Sequence, residues 1–203
     1  MYSVRAAAKT VDLVRLAVTT RPTEGAIIAA AVETFAQKGF ATTRVEDILQ
    51  AAGVARRTFY KHFRGKEEVL SAIYDLATTE LLKVMQGAAR VESDPLDTVR
   101  RGLDLYLDYH VANAPLVRVL VEQAIRSDSP LAGARQKFRH DLVSLLDVAV
   151  RASTGEAHDP MLYAALLSAL EGLSMDLLAT GARAADVARA KEVLHLLLAR
   201  VLG

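Results

Sequence analysis

The stretch TTRVEDILQAAGVARRTFYKHFRGKEEVL, residues 42–70, decides how the chain is read. Two short apolar-periodic runs meet at Ala51-Ala52-Gly53-Val54. The first opens at Thr43 and has Val45, Ile48 and Leu49 for a buried face. Thr43-Arg44-Val45-Glu46 fits the capping box, Ser or Thr followed three residues on by Glu. The second run extends from about Ala55 to Phe63, and Arg64-Gly65 breaks it. Two short helices joined at a glycine-containing turn make a helix-turn-helix. Ile48 and Val54 are placed to pack the pair, which leaves the other face of the second helix pointing outward. That face holds Arg56, Arg57, Thr58, Tyr60, Lys61 and His62, with no acid among them. Such a helix fits the major groove, where Arg binds guanine edges bidentately. Tyr, Thr and Lys suit phosphates. Lys66 adds a cation at the start of the next helix, whose N-terminal dipole also favours phosphate. Composition alone leaves open a solvated, charged face on an ordinary helical corner.

Outside this stretch the chain also reads as helix. It has 5 prolines and no alternating β-branched segment bounded by turns. Upstream, TEGAIIAAAVETFAQKGF has Thr23 as N-cap behind Pro22, an apolar stripe through Ile27, Ile28, Ala31 and Phe35, and Gly39 as a left-handed C-cap. Downstream, a long helix runs from Lys66 to about Arg90. Further helices follow Pro95, Pro115, Pro130 and Pro160, and ARAADVARAKEVLHLLLARVL closes the chain. Proline is tolerated at a helix start, where its missing N–H costs nothing.

The bulk numbers bound the class. The chain has 203 residues, 52% of them hydrophobic, and no cysteine or tryptophan. That excludes a disulfide framework, a thiolate zinc site and a thiol nucleophile. No uninterrupted apolar run reaches the length of a membrane span, and Lys9, Asp12 and Arg15 interrupt any signal-peptide core. No membrane partner is expected, and a cytoplasmic location is. Residues 1–75 carry 11 Lys/Arg against 8 Asp/Glu, whereas residues 76–203 carry 14 against 16. The basic excess therefore sits with the helix-turn-helix, a mild pointer to an anionic partner. No phosphate loop, nucleophile elbow or metalloprotease motif is present, and the histidines show no metal-ligand spacing. An enzyme is not expected, nor are a cofactor or a metal.

Residues 21–70 resemble the N-terminal domain of the tetracycline-repressor (TetR) family of transcriptional regulators. The resemblance rests on Phe35-Ala36, Gly39-Phe40, Thr43, Asp47-Ile48, Ala51-Ala52-Gly53-Val54, Thr58, Tyr60, Phe63 and Lys66-Glu67, in the family's order and spacing. It implies an all-α protein: a three-helix DNA-binding domain over residues 21–67, and a helical effector-binding and dimerisation domain over 68–203. Residues 1–20 are an extension: a DNA-backbone arm, an extra packed helix or a disordered tail. The implied DNA-contacting residues are Thr43, Arg44, Arg56, Arg57, Thr58, Tyr60, Lys61, His62 and Lys66. Two departures stand out. Ala55 replaces a Ser or Thr that would cap the recognition helix, and Gly65 replaces a polar cap before Lys66.

For the larger domain the resemblance implies a small-molecule effector in an apolar pocket with a few polar anchors. The residues picked for that role are Tyr106, Tyr109, His110, Gln123 and Met175. The last two helices carry more apolar residues than one face hides, so a two-fold homodimer interface is expected there, with Leu167 and Leu197 as test positions. The function implied is a homodimeric repressor that binds a palindromic double-stranded DNA operator and is released by ligand. The alternative is a DNA-binding regulator without an effector, acting as an activator or controlled by a protein partner.

Overall fold

The computed structural model describes residues 22–88 and 95–202. The extension expected at residues 1–20 lies outside them. Among the described residues every regular element is a helix: α1 Pro22–Lys38, α2 Val45–Ala52, α3 Arg56–His62, α4 Lys66–Ala88, α5 Pro95–Ala112, α6 Ala114–Ala124, α7 Ala132–Thr154, α8 Pro160–Thr180 and α9 Ala184–Leu202. Pro95 and Pro160 open their helices and Pro115 is second in α6. At α8 the Asp159 carboxylate completes the start by accepting the Met161 N–H at 2.8 Å.

Three expected helix starts are corrected. Thr23 lies inside α1, with Pro22 already helical. Pro130 stands two residues before α7, in a turn where the Ser129 hydroxyl accepts the Leu131 N–H at 3.1 Å. Thr43 does not cap α2. The helix begins one residue later than the capping-box pattern implies, so Arg44 is the N-cap and Asp47, not Glu46, reaches back. The Asp47 carboxylate accepts the Arg44 N–H at 2.8 Å.

The contacts divide the chain into two compact units, at places other than the expected boundary after residue 67. One unit holds residues 22–80 and 113–135; the other holds 81–88, 95–112 and 136–202. Helix α6 joins the first because it packs on α1. That unit's core is Ile27, Ala31 and Phe35 of α1, Ile48 of α2, Phe59 of α3, and Val69 and Leu70 of α4, all fully buried. In the second unit α5, α8 and α9 pack pairwise, around Leu107, Tyr163, Leu170 and Leu194. An ion pair, Lys191 to Asp108 at 2.6 Å, and a hydrogen bond between His195 Nε2 and the Asp104 carboxylate at 2.9 Å tie α9 to α5.

Helix α8 qualifies the expectation about membrane-length segments. By length and composition alone, Pro160–Thr180 is long and apolar enough to cross a membrane. Here one face of it is core, with Tyr163, Leu166, Leu167 and Leu170 buried, and its Glu171 pairs with Arg139 of α7.

Candidate nucleic-acid interface and ligand cavity

The turn between α2 and α3 depends on Gly53. Its φ of +63° is left-handed, a conformation that a side chain disfavours and glycine adopts freely. The next N–H, of Val54, closes the α2 end on the Leu49 carbonyl at 3.2 Å. Helix α3 starts without a side-chain cap at Ala55, whose carbonyl accepts the N–H groups of Thr58 and Phe59 at 2.8 and 3.1 Å. Phe59 anchors α3 in the core and lies edge-on to Tyr60, with ring centroids 5.3 Å apart. Val54 is only half-buried, so Ile48 and Phe59 carry the packing that the sequence reading gave to Ile48 and Val54.

With Phe59 inward, the other side chains of α3 fall outward. Arg56, Arg57, Tyr60, Lys61 and His62 are exposed, and Thr58 is half-buried. Arg56 and Tyr60 sit one turn apart, the guanidinium 5.8 Å from the ring. Arg56 also pairs with Glu46 of α2 at 2.7 Å. The Tyr60 side chain, and then Glu46, hold the guanidinium above its usual pKa range. Arg57 and Lys61 form the second i,i+4 pair. Among the described residues neither has a hydrogen bond or ion pair. His62 Nδ1 lies 3.8 Å from a Glu24 carboxylate oxygen of α1. Arg44 is exposed at the α2 start. Beside it the Lys38 ammonium, 2.8 Å away, and the Arg44 N–H hold the Asp47 carboxyl below its usual range.

Two members of the expected set are turned inward. Thr43 is 1% exposed, and its hydroxyl donates to the Gly39 carbonyl at 2.7 Å. The Lys66 ammonium donates to three backbone carbonyls, of Phe40 at 2.8 Å, Ala41 at 3.2 Å and Thr43 at 2.8 Å. It also lies 4.6 Å from the Phe40 ring centre. An ammonium has three donors, and all three are used, so Lys66 ties the α1–α2 loop to the start of α4 and leaves no donor for a phosphate. Glu46, which the residue pattern offered only as a capping-box acid, engages Arg56 instead. Its i+10 relation to Arg56 crosses the turn and has no helical periodicity to reveal it.

The second unit contains a cavity of about 240 Å³. Its wall includes Met85 of α4, Val99 and Gly102 of α5, Leu142 and Leu146 of α7 and Leu167 of α8. None of the five residues picked for an effector lines it. Tyr106, Tyr109 and His110 are buried further along α5, the Tyr106 and His110 rings in edge contact at 3.9 Å. Burial lowers the His110 pKa to about 3, and its Nδ1 has no hydrogen-bond partner among the described residues. Gln123 belongs to the other compact unit, and Met175 is half-buried in α8. The cavity lies nearer the α5 start because Gly102 leaves space there that larger side chains fill further on.

Residues 27–73 match the family of bacterial regulatory proteins named for tetR. The transcriptional regulator EthR of Mycolicibacterium smegmatis is 33% identical over 86 residues, 42% of this chain and 40% of its own length. A transcriptional repressor of Mycobacterium tuberculosis is 30% identical over 122 residues, 60% of this chain and 56% of its own. The chain thus spans about half the length of these curated relatives. The crystal structure of the TetR-family regulator PfmR from Thermus thermophilus superposes with a TM-score of 0.63 at 27% identity, over 87% of this chain and 93% of that one. The matched segment contains α2, the Gly53 turn and α3 entire, and over it the chain is similar to the tetR family of bacterial regulatory proteins.

Proposed function

We propose that this protein is a transcriptional regulator that reads duplex DNA with α3 as a homodimer, and that a small molecule bound in its second unit relieves repression. The observation that carries the DNA reading is the pair Arg57 and Lys61. They project from one face of a helix that Phe59 holds in the core, and no protein group among the described residues engages them. Arg57 is the guanine reader, bidentate in the major groove, and Lys61, Tyr60 and Arg44 take phosphates. Arg56 joins them when Glu46 releases it, an exposed pair of little intrinsic stability. Work on DNA places the protein in the cytoplasm.

The homodimer rests on the outer face of the last two helices. Met161 is 75% exposed and Leu196 58%, with Leu162, Val193 and Leu197 beside them in the exposed set. A two-fold contact buries such a patch against itself. It also sets two copies of α3 about 34–36 Å apart, one turn of DNA, so the operator is a palindrome. Helix α4 contributes residues to both units. It is the lever: a ligand that prefers the conformer with α4 tilted draws the population away from the DNA-binding spacing. Coupling of about 1–3 kcal/mol between ligand and DNA, equal in both directions, is what this requires.

The test is a mobility titration of the full chain on a pool of random duplexes, selected over several rounds and repeated across a salt series. Salt-dependent binding that the Arg57→Ala, Lys61→Ala double variant loses supports the reading. A double variant that binds as tightly as the wild type removes α3 from the DNA interface.

A further inference from the structure

We infer that the cavity of the second unit takes an uncharged ligand, and that it holds that ligand by an aliphatic part of roughly eight to ten carbons. The inference rests on the reading above, that a small molecule controls the protein, and narrows that molecule's chemistry. The deep wall is formed by Leu103, Leu142, Leu167 and Leu170, each 2% exposed or less. Among the described residues Thr98 is the single polar side chain in the lining, and none of them contributes a charged, amide or aromatic side chain. A carboxylate, ammonium or phosphate inside would be buried without a partner, which costs more than the surrounding apolar contact returns. Without rings in the wall, stacking offers no advantage to an aromatic ligand.

Size sets the carbon count. An apolar cavity of about 150 Å³ accommodates benzene, with its six carbons. The cavity here is about 240 Å³, so in the same proportion it holds roughly ten carbons when filled. It widens where Gly102 offers no side chain: a Cβ there would meet only the Met85 methyl, at 3.4 Å. Met85 is unbranched and adapts to its occupant. The opening is marked by Val148, 66% exposed, and by exposed Ala152. A polar end of the ligand belongs there, in contact with water.

Straight-chain primary alcohols from hexanol to dodecanol, titrated calorimetrically into the full chain, test this. Each methylene from hexanol to about decanol is expected to tighten binding by about fourfold, the ratio that burying one CH₂ supplies, with little gain beyond. 1,8-Octanediol is expected to bind at least about tenfold more weakly than octanol, because its second hydroxyl enters a wall with almost no acceptors. Gly102→Leu and Ala149→Leu each fill the space from a different helix and are expected to abolish decanol binding. The absence of chain-length dependence overturns the inference. So does a diol as tight as the alcohol, or decanol binding that survives both substitutions. Duplex binding by the ligand-free protein is measured separately. Its failure would strike the regulator reading and leave the alcohol series to judge the cavity.

Discussion

Replacing Lys66 separates its structural role from a phosphate contact. In the structure its ammonium spends all three donors on the carbonyls of Phe40, Ala41 and Thr43, at 2.8, 3.2 and 2.8 Å. A hydrogen bond from a charged donor contributes about 1.5–3 kcal/mol, and the three carbonyls cannot all find replacements inside the fold. Lys66 is half-buried, so water reaches part of the site and the total falls below the sum. Lys66→Met keeps an unbranched side chain of similar length and removes the ammonium, with its three donors and its contact with the Phe40 ring. Its expected cost is about 2–4 kcal/mol, most of it in the linkage of the α1–α2 loop to α4. For a chain of this size that lowers the melting midpoint by roughly 4–16 °C. Lys66→Arg does not rescue, because a planar guanidinium fork does not converge on three carbonyls as a compact ammonium does.

The assay pairs thermal unfolding, followed by circular dichroism, with DNA titrations across a salt series. A phosphate contact and a structural tie give opposite signatures. Loss of a phosphate contact makes the slope of log K against log salt shallower by about 0.9 per half-site and leaves the midpoint alone. Loss of the tie lowers the midpoint and leaves the slope of the folded fraction unchanged. A shallower slope with an unchanged midpoint refutes the structural account of Lys66.

Three further outcomes are expected. Arg57→Ala weakens binding to a selected operator about tenfold or more and relaxes the base preference at one position per half-site, whereas Arg56→Ala has the smaller effect because Glu46 already engages it; mobility titrations on operator variants rank the two. Leu197→Glu gives folded monomers by sedimentation, since Leu197 is 37% exposed, whereas Leu167→Glu unfolds the protein, since Leu167 is 1% exposed in the core and not the interface position the sequence suggested. Burial holds His110 neutral when folded, with a pKa lowered to about 3 against about 6.5 when unfolded; the unfolded chain therefore binds the extra proton between these values, and urea unfolding shows stability falling from pH 6.5 downward by up to about 1.4 kcal/mol per unit, a component that His110→Phe removes.

Helix positions were legible because apolar periodicity and breakers agree along the chain. Gly39 and Gly53 take the left-handed conformations their places implied, with φ +77° and +63°, and Pro95 and Pro160 open helices as expected. The outward set on α3 was legible for the same reason: once Phe59 is buried, periodicity puts Arg57 and Lys61 on one side. What the sequence could not separate is one cation from another. Lys61 and Lys66 are five residues apart and alike in chemistry, yet one is exposed and the other is saturated by carbonyls from residues 40–43. That difference is made by the loop between α1 and α2, which has no period and so leaves no pattern in the sequence. The inward turn of Thr43 left no pattern for the same reason, since its hydroxyl bonds to Gly39 within that loop. The cavity was illegible for a different reason. Aromatic and polar residues on α5 drew the eye to Tyr106, Tyr109 and His110, but larger side chains fill space. The cavity formed where they are missing, at Gly102 and Ala149. A void is a property of several helices at once, and the residues that make it are the small ones that carry no chemical signal of their own.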